Sequence, residues 1–266
     1  MPGGEENKQL VVVIDVGHGI VPKAVSRTGW DDGAIKTVTV DGKKQKITEY
    51  EFNVQNANLL KEELESRGYK VILTTDPGER DTSNLGPKDN FTSRFEVAKK
   101  HEADLYISIH ANSNPVRSLS GTVVYLASNS CEKSNEAAEK IIISLHANDR
   151  NIEHDVQTLI KDRDGPLARL AEITNKKTPG FLVEVEYMTN KQGLECLMDA
   201  QHCQTIAIGV ADGIDSFFGM IPGRLQQQAR ETATPARMDS LHIDPDSLIQ
   251  EPDALRVADR SLLLKR

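Results

Sequence analysis

Two histidines in this chain stand where an apolar run gives way to a loop. Leu10 to Val16, interrupted only by Asp15, leads into Gly17-His18-Gly19. Ala103 to Asn112 sets Leu105, Ile107 and Ile109 in alternation with Tyr106, Ser108 and His110. The first pattern suits a strand covered on both faces, the second a strand ending in a histidine that faces a crevice. Thr178 to Tyr187 is a further strand and carries Glu184 and Glu186, while Glu49 and Glu51 lie where a helix is expected to start. Two imidazoles and one carboxylate make a three-ligand zinc set whose open fourth position marks a catalytic site rather than a structural one. Zinc polarises a carbonyl. A carboxylate off the metal is then needed to accept a proton and pass it to a leaving nitrogen.

The residues alone leave two choices open. Glu184 and Glu186 are two apart on a strand, so alternation gives them the same face and either could be the base. Glu49 and Glu51 lie about 200° apart around a helix, so only one can reach a metal shared with His18 and His110. Asp15 could orient His18 or cap the following turn. Asn112 could orient a ligand, bind substrate or cap its own turn. His101, His146, His154, His202 and His242 sit at no strand end and read as surface or packing residues, and Arg94 has no assigned role.

Positioning these groups requires an ordered set of elements. A hairpin is predicted from Ile35 to Val40 and Lys43 to Thr48 around Asp41-Gly42. A helix follows from Glu49 to about Arg67, ended by Gly68, and Tyr69 to Thr74 is the next core strand. Asp76 to Asn90, with Pro77-Gly78 and Gly86-Pro87, reads as a long loop. Helix is predicted over 92–100, strand over 121–127, and helix over 135–147, 165–176 and 194–218; 151–163 is ambiguous. The alternation defines an α/β fold, a three-layer sandwich with a mostly parallel twisted central sheet flanked by helices. In such sheets sites form outside the carboxyl ends of the strands, where His18, His110 and the Glu184/Glu186 pair fall.

Composition narrows the function classes. The formal charge of −8 and pI near 5.4 argue against a nucleic-acid partner. No apolar run approaches the length of a membrane span. Cys131, Cys196 and Cys203 are too few and too irregular for a disulfide framework or a cysteine zinc site. Cys196 and Cys203 are expected on one helix, too far apart to bridge. All three read as packing residues. The first residues lack a basic region followed by an apolar one, so no signal peptide is expected.

The division expected is an N-terminal extension over 1–9, a catalytic domain over 10–221 and a poorly structured tail over 222–266. The tail has no Phe, Trp or Tyr to build a core. Within it leucines recur every seventh residue at Leu241, Leu248, Leu255 and Leu262, while Pro245 and Pro252 forbid a continuous helix. A repeated linear motif that docks a protein partner is one reading; chance similarity in a disordered tail is the other.

Taken together, Ile14-Asp15-Val16-Gly17-His18-Gly19, Glu49-Tyr50-Glu51-Phe52-Asn53, Ser108-Ile109-His110-Ala111-Asn112 and Phe181 to Asn190 resemble the four signatures of zinc-dependent N-acetylmuramoyl-L-alanine amidases of the amidase_3 family. The resemblance spans about residues 10–218. It implies a single-zinc hydrolase that cuts the amide between the lactyl group of N-acetylmuramic acid and L-alanine of the peptidoglycan stem peptide. By position it implies His18, Glu49 and His110 as zinc ligands and Glu184 as general base, which settles both choices left open above. Three departures stand out: Ile20 where a second glycine is usual, Glu186 where a small residue is usual, and the hairpin over 33–48, which looks inserted beside the cleft.

The same resemblance carries other expectations. The alternatives are a non-catalytic peptidoglycan-binding or regulatory domain on this fold, and a zinc peptidase or deacetylase acting on another amide. The expected place of action is the bacterial cell wall or periplasm. Without a leader, the expected routes are release as a phage endolysin, delivery by an injection machine as an effector, or a leader trimmed from the sequence.

Overall fold

β1 (Val11–Val16) is buried along its whole length, as a strand of five aliphatic residues and one aspartate must be when it lies mid-sheet. In the computed structural model it is paired on both sides, in parallel, with β4 (Lys70–Leu73) and with β5 (Leu105–Asn112). The structure describes residues 8–19, 33–40, 42–76, 79, 87–127, 130–148, 157–162, 178–221 and 223. The sheet is completed by β6 (Val123–Ala127), β7 (Gln157–Asp162) and β8 (Gly180–Tyr187), in the order β4-β1-β5-β8-β6-β7. Four of its five pairings are parallel, and β6 runs antiparallel to β8. The mostly parallel α/β sandwich expected from the sequence is the fold observed.

Helices cover the two faces unequally. α1 (Glu49–Ser66), α3 (Glu132–Asn148), α4 (Lys191–Met198) and α5 (Ala200–Phe217) contribute Phe52, Leu60, Ile141, Leu145, Leu197 and Val210 to one large cluster with Val12, Ile14 and Val183. α2 (Pro87–Lys100) covers the other face, where Phe95 and Ala98 meet Val13 and Tyr106. The Phe95 ring stacks on Tyr106 with centroids 4.6 Å apart. A fully buried Leu, Ile or Phe contributes roughly 1.5–3 kcal/mol, so the larger cluster dominates stability. α3 and α5 touch backbone to side chain: a Cβ on Gly213 would lie 2.4 Å from the Ile141 Cα, and one on Gly209 would lie 2.9 Å from Leu145 Cδ2.

The predicted hairpin forms as β2 (Ile35–Val40) and β3 (Lys43–Thr48), with Ile35 opposite Thr48. Several expectations need correction. α2 begins at Pro87, where a proline is tolerated in the first turn, so the long loop after β4 is shorter than the sequence suggests. The helix predicted over 194–218 is two helices. They break at Asp199, whose side chain accepts from the Gln201 amide at 2.9 Å and starts α5. Cys196 and Cys203 therefore lie on successive helices. The ambiguous stretch contains β7. The helix predicted over 165–176, Ile20 and the 222–266 repeat lie outside the described residues, apart from Gly223 at the start of that tail.

Candidate metal centre

The strand order reverses at β1: the chain leaves it for β4 on one side and returns as β5 on the other. Such a reversal leaves a crevice at the carboxyl ends of the two strands, and the candidate site stands there. His18 follows β1 with φ 61°, a conformation rare for residues with a Cβ. Arg94 on α2 holds it. One guanidinium nitrogen donates to Asp15 Oδ1 at 2.6 Å and to the Val16 carbonyl at 2.5 Å, and the other donates to the His18 carbonyl. From the opposite side Asn53 Nδ2 donates to the Gly17 carbonyl at 2.9 Å. Gly17 must be glycine, because a Cβ there would lie 2.4 Å from the His110 ring.

Glu49 is the first residue of α1, and the same helix start disposes of Glu51. Thr48 and Glu51 form a reciprocal cap: the Glu51 amide donates to Thr48 Oγ1 at 3.3 Å, and the Thr48 amide donates to Glu51 Oε2 at 2.7 Å. Glu51 is exposed and occupied in capping, whereas Glu49 is buried and turned to the histidines. Glu49 Oε1 lies 3.0 Å from His18 Nε2 and 3.0 Å from His110 Nδ1. The two imidazoles meet edge to face, centroids 4.9 Å apart. Burial raises the Glu49 proton affinity, but hydrogen bonds from His110 and His18 and the Ala34 amide outweigh it, so the carboxyl is held far below its ordinary range.

These three donors offer one ligand atom each within 4.8 Å of one another. Their chemistry, two nitrogens and one anionic oxygen, fits a divalent ion of zinc type. Glu49 Oε2 accepts from the Ala34 amide at 2.9 Å, which orients the carboxylate as an outer partner orients a ligand.

The two carboxylates of β8 do not share a side, contrary to the expectation from simple alternation. Pairing with β5 passes from His110 opposite Glu184 to Asn112 opposite Tyr187, so β8 holds an extra residue between them. The bulge re-aims the residues beyond it. Glu184 stays near the three donors. Burial pushes its carboxyl up to about 7, opposed by the His110 imidazole, reinforced by Glu49 and opposed again by His18. Glu184 Oε2 is buried without a hydrogen-bond partner. Glu186 instead accepts from the Gly121 amide at 2.9 Å and lies 3.7 Å from His202.

Asp15 does not reach His18 directly. Its carboxylate accepts from Thr74 at 2.9 Å, Ser108 at 2.7 Å and Arg94, and acts on the loop through Arg94. Asn112 accepts through its carbonyl from the Met188 amide at 2.8 Å, while its side-chain nitrogen is buried without a partner. Arg94 and Ala34 had no legible signal in the sequence, and Asn53 was visible only as the last residue of the Glu49–Asn53 signature, without a role of its own. The Thr48–Glu51 cap had one, since a threonine followed three residues later by glutamate at a helix start is a readable pattern.

Fold and donor set together define an α/β domain with a candidate metal site at the carboxyl edge of its mostly parallel sheet. The chain belongs to the N-acetylmuramoyl-L-alanine amidase family Amidase_3, whose model matches residues 12–216. Among its relatives, the amidase AmiA of Escherichia coli is 26% identical over 249 residues, covering 78% of this chain and 76% of AmiA. The amidase LytC of Bacillus subtilis is 26% identical over 215 residues, covering 78% of this chain but 35% of LytC. Among solved structures, the amidase AmiC2 of Nostoc punctiforme superposes with a TM-score of 0.57 at 26% identity, over 79% of this chain and 97% of that one. Among the described residues no helix is long and apolar enough to cross a membrane.

Proposed function

We propose that this protein is a single-zinc hydrolase that cleaves the amide joining the lactyl group of N-acetylmuramic acid to L-alanine in peptidoglycan. The observation that carries the proposal is the convergence of His18 Nε2 and His110 Nδ1 on one oxygen of Glu49, with the buried Glu184 carboxyl beside them. His18, Glu49 and His110 would hold the ion, which when bound supplies a Lewis acid for the amide carbonyl.

The remaining work falls to the chain itself. Glu184 is the proton carrier, since a carboxyl titrating near neutrality can both take a proton from a nucleophilic water and return it to the leaving alanine nitrogen. The bulge keeps Glu186 out of that role by committing it to Gly121 and His202. Arg94 and Asn53 hold the loop carrying His18. Peptidoglycan is the substrate, so the place of action is the bacterial wall.

Isolated sacculi incubated with the protein, with and without a chelator, provide the test. New N-terminal alanine, detected by mass spectrometry, is expected without chelator only, and is expected to be absent with Glu184→Gln at unchanged circular dichroism. Cleavage at another bond, or turnover indifferent to chelator, would reject the assignment. The same digest separates this reading from a peptidase acting elsewhere in the stem.

A further inference from the structure

A second group of ligand-type side chains lies away from the three donors. Glu186 at the end of β8, Cys196 on α4 and His202 on α5 offer an oxygen, a sulfur and a nitrogen within 4.8 Å of one another. Glu186 and His202 are buried, at 1% and 6% exposure, and Cys196 is partly exposed. We propose that Glu186, Cys196 and His202 form a second site for a zinc-type divalent cation.

Distance and charge support this assignment. Glu186 Oε1 and His202 Nε2 are 3.7 Å apart, longer than a hydrogen bond. Two ligands at about 2.0–2.2 Å from a tetrahedral zinc stand roughly 3.4 Å from each other, close to that separation. Glu186 Oε2 is meanwhile fixed by the Gly121 amide at 2.9 Å, and Oε1 is the oxygen on the His202 side, so the carboxylate is oriented as an outer partner orients a ligand. A thiolate and a carboxylate together neutralise a divalent cation, with His202 neutral. The Cys196 proton leaves to solvent on binding. A sulfur and a nitrogen in the set favour zinc over magnesium or calcium. Cys196 forms the solvent-side rim, where a water can complete the coordination.

The site would join three elements, β8, α4 and α5. It pins the bulge near the end of β8 to α4 and to the first turn of α5. Glu184 stands just before that bulge, so the same ion would help hold the strand from which Glu184 projects.

Sulfur makes the test specific, because the donors His18, Glu49 and His110 include none. The full-length protein is reconstituted with cobalt and its near-ultraviolet absorption recorded. A thiolate-to-cobalt charge-transfer band is expected in the wild type and in Glu49→Gln. It is expected to disappear in Cys196→Ser and in His202→Gln, with Cys131→Ser as a control that retains it. Zinc content by elemental analysis is expected to be two per chain in the wild type and one in Glu49→Gln. A wild-type protein with one zinc and no sulfur band, or a band that survives Cys196→Ser, would overturn the proposal. Neither readout depends on amidase turnover, so failure here and failure of the catalytic assignment are separate results.

Discussion

Ala34 and Glu49 are joined twice: the Glu49 amide donates to the Ala34 carbonyl at 2.8 Å, and the Ala34 amide donates to Glu49 Oε2 at 2.9 Å. The strand pair between residues 33 and 48 thus closes on itself at the point where α1 begins. An apparent insertion beside the cleft is in this way part of what orients the Glu49 carboxylate, the proposed ligand.

Gly33 tests this relationship. It has φ +67°, and a Cβ there would lie 2.5 Å from Glu49 Oε2 and 2.7 Å from His18 Cδ2. Gly33→Val should push both donors apart and weaken zinc binding by about 10–100-fold, the usual loss when an outer partner of a ligand is disturbed. Chelator competition measures it, and an unchanged affinity would show that Ala34 and Gly33 do not set the carboxylate.

Asp15 and Arg94 predict a pH dependence of stability. Burial raises the Asp15 proton affinity, but the charge of Arg94 and hydrogen bonds from Ser108 and Arg94 outweigh it and lower the carboxyl from 3.8 to about 2. A folded-state value below the unfolded one adds stability above pH about 4 and loses it as pH falls towards 2. The contribution is about 2 kcal/mol. Arg94→Met strands a buried carboxylate and should cost roughly 3–5 kcal/mol at neutral pH. Urea titrations across this range should show the wild-type decline on acidification shrink or reverse in the variant, because the stranded carboxyl then takes up its proton more readily in the folded state.

Glu184 carries the opposite sign. Its folded-state carboxyl titrates near 7 against an ordinary 4.5, so in metal-free protein it costs stability as pH rises from 4.5 through 7. Glu184→Gln should therefore leave the metal-free protein at least as stable as the wild type at pH 8, while turnover is lost. A variant markedly less stable at that pH would mean that Glu184 is a structural group.

Helix packing supplies a test remote from the site. Gly213→Ala places a Cβ 2.4 Å from the Ile141 Cα and 2.8 Å from its backbone nitrogen, where no side chain can move aside. α3 and α5 must separate, at a cost of roughly 1–3 kcal/mol. Thermal melting should register it, with zinc content unchanged.

The chain by itself determined a good deal. Period-two and all-apolar runs placed β1, β5 and β8, because a strand covered by helices must be apolar wherever it is covered. The hairpin was legible because Asp41-Gly42 is a turn sequence with strand-like residues on both sides. His18 and His110 were legible as candidates because each ends such a run. Folding decided which partners each of them met. Thr48 drew Glu51 into a cap and left Glu49 for the histidines. One extra residue in β8 sent Glu186 to His202 and Cys196, although alternation had put it beside Glu184. Arg94, without any local pattern of its own, became the residue that holds the His18 loop. Local periodicity is written in neighbouring residues, whereas a bulge, a cap competition or a contact across 76 positions depends on how distant segments pack, and only the tertiary structure contains that.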